Sequence, residues 1–190
     1  AWLAHLGNPP LAATFAIGFL ILFAFIGTFT YINFVLVRAP LALGQMSLGL
    51  VYLVFLPALV VKPLTGRISR RVGATRALRL AFLAALAGLP LLVVPSLPVV
   101  LAGLALVGAG TFAAQAAATG LVGRLATSDR GGASGFYLAA YYLGGLAGSA
   151  LLGRVFDGAG WPTCVAIVTG ALTAALALTR RLDTSSHHHP

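Results

Sequence analysis

The sequence predicts an all-α integral membrane fold, six transmembrane helices arranged as two inverted three-helix repeats, and three observations carry that prediction. The first is composition: 59% of residues are hydrophobic and 8% charged, with a mean hydropathy of +1.00, whereas about a quarter of a soluble domain is charged. A hydrocarbon core of about 30 Å needs about 20 apolar residues per helix, so a chain of this length has room for about six spans. The second is charge placement: six of the twelve Lys and Arg residues fall between Lys62 and Arg79, with apolar runs on both sides. The third is a short internal repeat whose two copies lie three spans apart.

Each element follows from a local signal. Residues 1–10 carry Trp2, Leu3, Leu6 and His5 without a formal charge, which suits an interfacial segment, and Pro9-Pro10 is suited to start a helix. The first span is expected over 11–37 and stops at Arg38-Ala-Pro40, because proline disfavours helical geometry in the residue before it. The second covers 44–61, with Pro57 as a kink. The basic stretch 62–79 reads as a loop overlapping the start of the third span, 77–94, which Pro95-Ser-Leu-Pro98 ends. The fourth, 98–122, has Gly103, Gly108, Gly110 and an alanine-rich centre, which allow close backbone approach in lipid and predict an inner helix. Residues 124–130 connect it to the fifth, 132–152, where Gly144 and Gly148 have small-xxx-small spacing. The sixth, 161–178, begins at Trp161 and is followed by a tail, 180–190, that starts with Arg180-Arg181.

Short loops rich in Lys and Arg stay on the cytoplasmic side. With six spans and the 62–79 stretch inside, Lys62, Arg67, Arg70, Arg71, Arg76, Arg79, Arg124, Arg130, Arg180 and Arg181 share one face, and only Arg38 and Arg154 lie on the other. The expectation is a multi-pass protein of the plasma (inner) membrane with both ends cytoplasmic. Adding or removing one span would split the basic clusters between faces.

The net charge of +9 does not point to nucleic acid, since the basic residues are confined between apolar runs with no aromatic-basic surface beside them. Cys164 stands alone, so neither a disulfide framework nor a cysteine metal site is expected. No cofactor is expected. The three consecutive histidines at 187–189 belong to a short polar tail that resembles a tag remnant or a native end. Because the chain starts at Ala1, a fragment of a longer protein is expected.

The repeat is seen by laying Leu64-Thr-Gly-Arg-Ile-Ser-Arg-Arg-Val-Gly73 over Leu151-Leu-Gly-Arg-Val-Phe-Asp-Gly-Ala-Gly160. An offset of three spans, an odd number, puts Gly66-Arg67 and Gly153-Arg154 on opposite faces of the membrane. Inverted repeats of this kind are a sign of secondary transporters.

Within the first copy, Gly66, Arg71 and Gly73 match the loop signature Gly-x-x-x-Asp-Arg-x-Gly, and the chain therefore resembles the major facilitator superfamily. Arg70 stands where that family often has Asp. Phe29-Thr-Tyr-Ile-Asn-Phe34, Gly135-Phe-Tyr-Leu-Ala-Ala-Tyr-Tyr-Leu-Gly-Gly145 and Gly158-Ala-Gly-Trp-Pro162 resemble segments of bacterial sugar-efflux-like and drug-efflux-like members. The resemblance implies the C-terminal six-span half of a twelve-span transporter, with residues 1–10 as the end of the central loop. It also implies alternating access, usually proton-coupled in efflux members, and a conformational role for Gly66, Arg67, Arg70, Arg71 and Gly73. The partners so implied are the lipid bilayer, a small-molecule substrate, and either the missing N-terminal half or a second copy.

Polar groups inside spans face the bundle interior or another helix. Thr28, Tyr31, Asn33, Tyr52, Gln115, Tyr137 and Tyr141 are therefore the substrate-cavity candidates. Thr28 and Gln115 occupy equivalent positions under the repeat, and Gln115 can either line a cavity or bridge two helices. No Asp, Glu, Lys or His is expected inside a span, so a proton-carrying carboxylate would come from the other half. An enzyme is not expected. Gly132-Ala-Ser-Gly135 matches the Gly-x-Ser-Gly nucleophile motif of six-span rhomboid proteases, but that chemistry needs a His beside Ser134 and no span contains one. A six-span channel or scaffold that pairs with itself is the other alternative.

Overall fold

The computed structural model describes residues 7–127 and 129–183, apart from the side chain of Ala58. The interfacial segment with Trp2 and His5 and the tail histidines lie outside the described residues. All regular structure among the described residues is helical. Six helices are long and apolar enough to cross a membrane: Pro9–Leu36, Gln45–Val72, Ala74–Val93, Leu97–Leu125, Arg130–Ala159 and Trp161–Asp183. They are called here the first to sixth spans.

The helix starts carry the expected chemistry. Pro9 and Pro10 open the first span, and the Asn8 side chain accepts a hydrogen bond from the Leu11 amide, satisfying one of the orphan donors of the first turn. Residues 9 and 10 therefore belong to the helix rather than to a preceding loop. Pro98 and Pro162 occupy the first turns of the fourth and sixth spans. Asp129 caps the fifth by accepting from Gly132 N at 3.0 Å. In the second span, helix Gln45–Val51 passes through a 3₁₀ stretch, Tyr52–Phe55, into helix Leu56–Val72. The irregularity falls just before Pro57, whose missing N–H leaves the carbonyl four residues back without its helical donor.

The basic stretch 62–79 is not a loop. Helix runs through it to Val72, only Gly73 leaves helical geometry, and Ala74 begins the third span. Gly66, Arg67, Arg70 and Arg71 are accordingly helical residues, with Arg70 and Arg71 in the last turn, where cations meet the negative end of the helix dipole. The same happens at the other copy: helix continues past residue 152 to Ala159 and stops at Gly160. Both differences have one cause. Hydropathy falls where charged residues begin, whereas the helix continues as far as its backbone hydrogen bonding does, and Thr65, 4% exposed, shows that the extension after residue 61 still packs against the bundle.

Helix packing follows the inverted repeat. The first span packs on the fifth and sixth, as the fourth packs on the second and third; the second and third pack together, as do the fifth and sixth. The first and fourth meet each other, and so do the third and sixth. Gly73 (φ +91°) and Gly160 (φ +80°) break the chain at matching points. They stand as far apart in sequence as Gly66 and Gly153, and as Thr28 and Gln115. The fourth span buries Gly103, Gly108 and Gly110 as an inner helix does.

Burial is uneven. Two thirds of the most apolar window of the first span is buried, against 12% in the second and 28% in the fifth. Most of the exposed bulky apolar side chains, among them Leu53, Leu59, Val60, Leu143 and Leu146, lie on those two spans. On the face bearing the basic residues, Arg79 ties the third span to the end of the sixth. Its Nε donates to Thr179 Oγ1 at 2.9 Å, and its guanidinium also donates to the Thr179 carbonyl at 3.2 Å and pairs with Asp183.

Candidate functional site

The pseudo-symmetry centres on an aromatic cluster. Phe25 and Phe112, equivalent residues of the two repeats, meet edge to face with ring centroids 5.3 Å apart. Phe29 and Phe55 join them, with Phe29–Phe55 at 4.6 Å, Phe25–Phe29 at 4.7 Å and Phe55–Phe112 at 6.1 Å. All four rings are half-buried. Edge-to-face and tilted pairs at such distances are favoured by the ring quadrupoles. A small cavity of about 20 Å³ beside them is lined by Ile21, Phe25, Thr111, Phe112 and Tyr141.

Three of the sequence candidates form a linked set on one side of this cluster. Tyr137 donates its hydroxyl hydrogen to Gln115 Oε1, joining the fifth span to the fourth. Tyr137 is 1% exposed and stacks at 6.2 Å on Tyr141, which borders the small cavity. Gly18 makes room for this tyrosine, since a Cβ there would come within 2.6 Å of its ring. Thr28 is also buried, and its Oγ1 has no partner, unlike Thr14 and Thr111, whose hydroxyls bond back to carbonyls four residues earlier.

Of the remaining candidates, Asn33 and Tyr52 touch the other side of the cluster through Phe29 and Phe55, and Tyr31 sits apart. Asn33 donates its amide to the Phe29 carbonyl at 2.9 Å and to the Tyr52 hydroxyl at 3.0 Å, linking the first and second spans. Tyr31 donates to the Ser149 carbonyl and stacks on Phe156, whose other neighbours include Arg38, 5.3 Å from its ring centroid. Ser134 is an exposed helical residue of the fifth span.

Sequence reasoning missed two features. The phenylalanines were overlooked because only polar side chains were sought, although Phe25 and Phe112 share the register that paired Thr28 with Gln115. The other is Lys62. It was counted with a cytoplasmic loop, but it lies inside the second span, exposed, with Nζ 5.6 Å from the Phe112 ring centroid. The expectation that no Lys falls within a span is thereby corrected, for the same reason that the loop became helix.

The Gln115–Tyr137 bond gives a direct expectation. Tyr137→Phe and Gln115→Leu should each destabilise the folded bundle by about 1 kcal/mol, with the double variant costing little more than either, because one shared interaction is lost only once. Thermal unfolding in detergent measures this. Strictly additive losses would show that the two groups do not act as a pair.

Six apolar spans in two inverted units, with a glycine break at each matching turn and a basic cluster at the first of them, define a multi-pass membrane protein of the secondary-transporter type. A profile of the Major Facilitator Superfamily matches residues 14–190. The chain belongs to that family. It is 30% identical over 183 residues to the uncharacterized MFS-type transporter YybF of Bacillus subtilis (strain 168), covering 96% of this chain and 45% of that protein. To the inner membrane transport protein YnfM of Escherichia coli (strain K12) it is 32% identical over 183 residues, 96% of this chain and 44% of the relative. An uncharacterized transporter of Buchnera aphidicola subsp. Schizaphis graminum (strain Sg) is 31% identical over 140 residues, 74% of this chain and 34% of the relative. The chain thus spans less than half the length of the curated relatives it matches.

Proposed function

We propose that this chain is the C-terminal bundle of a secondary active transporter that expels a small organic compound by alternating access, coupled to proton entry. The observation that carries the reading is the inverted repeat, with its interchanged helix packing and its matched breaks at Gly73 and Gly160. Such units rock against a second bundle around a site near mid-membrane. The second bundle is another six-span half N-terminal to this one, a reading supported by relatives more than twice as long as the matched part and by the exposed apolar faces of the second and fifth spans. Inner-membrane placement with both ends cytoplasmic rests on the one-sided distribution of Lys and Arg. Asp129, Asp157 and Asp183 all lie near span ends, so the proton-carrying carboxylate is assigned to the other bundle. Gln115, Tyr141 and the phenylalanine cluster form this bundle's wall of the cavity, with the buried Tyr137 and Thr28 behind them and Asn33 and Tyr52 toward the external end.

The full-length protein in proteoliposomes tests the reading. With an acidic lumen, a naphthalene probe, anionic, neutral or cationic, should accumulate inside, and collapsing the pH gradient with nigericin should release it. Accumulation that survives nigericin would remove proton coupling. Equal flux through the purified six-span chain alone would remove the two-bundle architecture.

A further inference from the structure

Lys62 has no role in the proposal above, and its position gives it one. Phe112, over which its ammonium sits, lies near the middle of the fourth span, about 18 Å along the helix from Arg124 and about 22 Å from Leu97 at a rise of 1.5 Å per residue. On its own helix, Lys62 stands about 15 Å before the end at Val72. The ammonium thus lies about three turns from the basic end of either helix, away from the last turns where a lysine reaches the headgroups by extending its side chain.

A cation at this depth faces a water-filled cavity or finds a counter-charge, and Lys62 is exposed. A ring face offsets only part of what its hydration would have supplied. The chain has three acidic residues; Asp129 caps the start of the fifth span, Asp157 lies in that helix's last turn, and Asp183 pairs with Arg79. None lies at mid-membrane. An anion that pairs with Lys62 at this depth therefore comes from outside this chain.

We infer that Lys62 is the anion-recognising group of the substrate site, and that the compound it takes is an organic anion with an aromatic or apolar body. The half-buried ring of Phe112 beside the ammonium, with Phe25, Phe29 and Phe55 clustered around it, supplies the surface for that body. A carboxylate or sulfonate accepts hydrogen bonds from Nζ, while the rings exclude water around the pair and strengthen it. Gln and Tyr side chains alone would suit a neutral compound, and the ammonium changes that preference to an anion. The inference rests on the transporter reading for its biological meaning, but its test does not.

The full-length protein in detergent is titrated with naphthalene-2-sulfonate, which stays anionic, and with naphthalene-2-sulfonamide and (2-naphthylmethyl)trimethylammonium, using naphthalene fluorescence. The sulfonate should bind about tenfold more tightly than the sulfonamide, the worth of one charge-assisted hydrogen bond, and the cation most weakly. Lys62→Gln should bring sulfonate and sulfonamide within about twofold of each other, while Lys62→Arg keeps their order. Because the order is first read on the unmodified protein, a variant that fails to fold does not remove the test. Equal or stronger binding of the neutral or cationic probe, absence of sulfonate binding, or a preference that survives Lys62→Gln overturns the inference. The first two of those results are also what a carboxylate of the other bundle, already paired with Lys62, would produce. Selective sulfonate binding without gradient-driven flux would leave Lys62 as an anion site and remove the transport reading instead.

Discussion

Gly144→Ala should break the bundle. A Cβ at Gly144 would be driven into the Phe19 carbonyl, 2.6 Å from its carbon and 2.8 Å from the Phe19 Cα. One turn further on, a Cβ at Gly148 would lie 2.6 Å from the Phe23 carbonyl oxygen and 3.0 Å from its Cα. These obstacles are helix backbone, which cannot swing aside as a flexible side chain does, so the first and fifth spans would have to separate. Lipid provides no hydrophobic force to hold them together; their association depends on close van der Waals contact. A net loss of about 3 kcal/mol is expected, at the upper end for overpacking and despite the gain of about 1 kcal/mol that alanine gives a helix. Gly170→Ala is the matched control, since it lies on an exposed helix face with nothing within 4 Å of the added methyl. It should melt at or above the unmodified temperature in detergent, and Gly144→Ala far below. Equal melting of the two would mean the spans are not in contact at Gly144.

That contact was visible in the sequence, and it shows which features the sequence displays. Small residues four apart in an apolar run announce a close crossing because only their size permits it. Hydropathy counted the spans because the apolar layer is a physical slab of fixed thickness. The Gly66/Gly153 match gave the repeat, and the structure adds that Gly73 and Gly160, seven residues later in each copy, are its two breaks.

The limits have equally definite causes. Charges at 62, 67, 70 and 71 lowered the hydropathy and hid a helix whose backbone hydrogen bonds do not depend on it; Lys62 was placed in a loop as a result. Gln115 was read as either lining or bridging, and its bond to a fifth-span hydroxyl is a long-range fact absent from local sequence. The aromatic cluster joins residues from three spans whose meeting depends on helix rotation, and only the repeat register of Phe25 and Phe112 hinted at it.

Gly73→Ala tests the other feature of the repeat, and it does so without altering any contact. Gly73 has φ +91° and ψ 149°, a region open essentially to glycine alone, and no atom lies within 4 Å of where its Cβ would be. Any penalty is therefore conformational, and about 1–3 kcal/mol is expected. Gly160, at φ +80° and ψ 177°, has only Pro162 Cδ near, at 3.9 Å, so Gly160→Ala should cost a similar amount. The two breaks differ in surroundings. Gly73 directly follows the helix turn that carries Arg70 and Arg71, whereas Gly160 lies on the opposite face with few charges. If the basic turn before Gly73 governs the rocking of the bundles, as its match to the family signature implies, Gly73→Ala in the full-length protein should slow probe flux severalfold while leaving probe binding unchanged. Gly160→Ala should lower stability alike and leave flux per folded molecule near normal. Equal slowing by both variants would trace the effect to general destabilisation, and weakened binding in Gly73→Ala would place this turn in the site rather than in the switch.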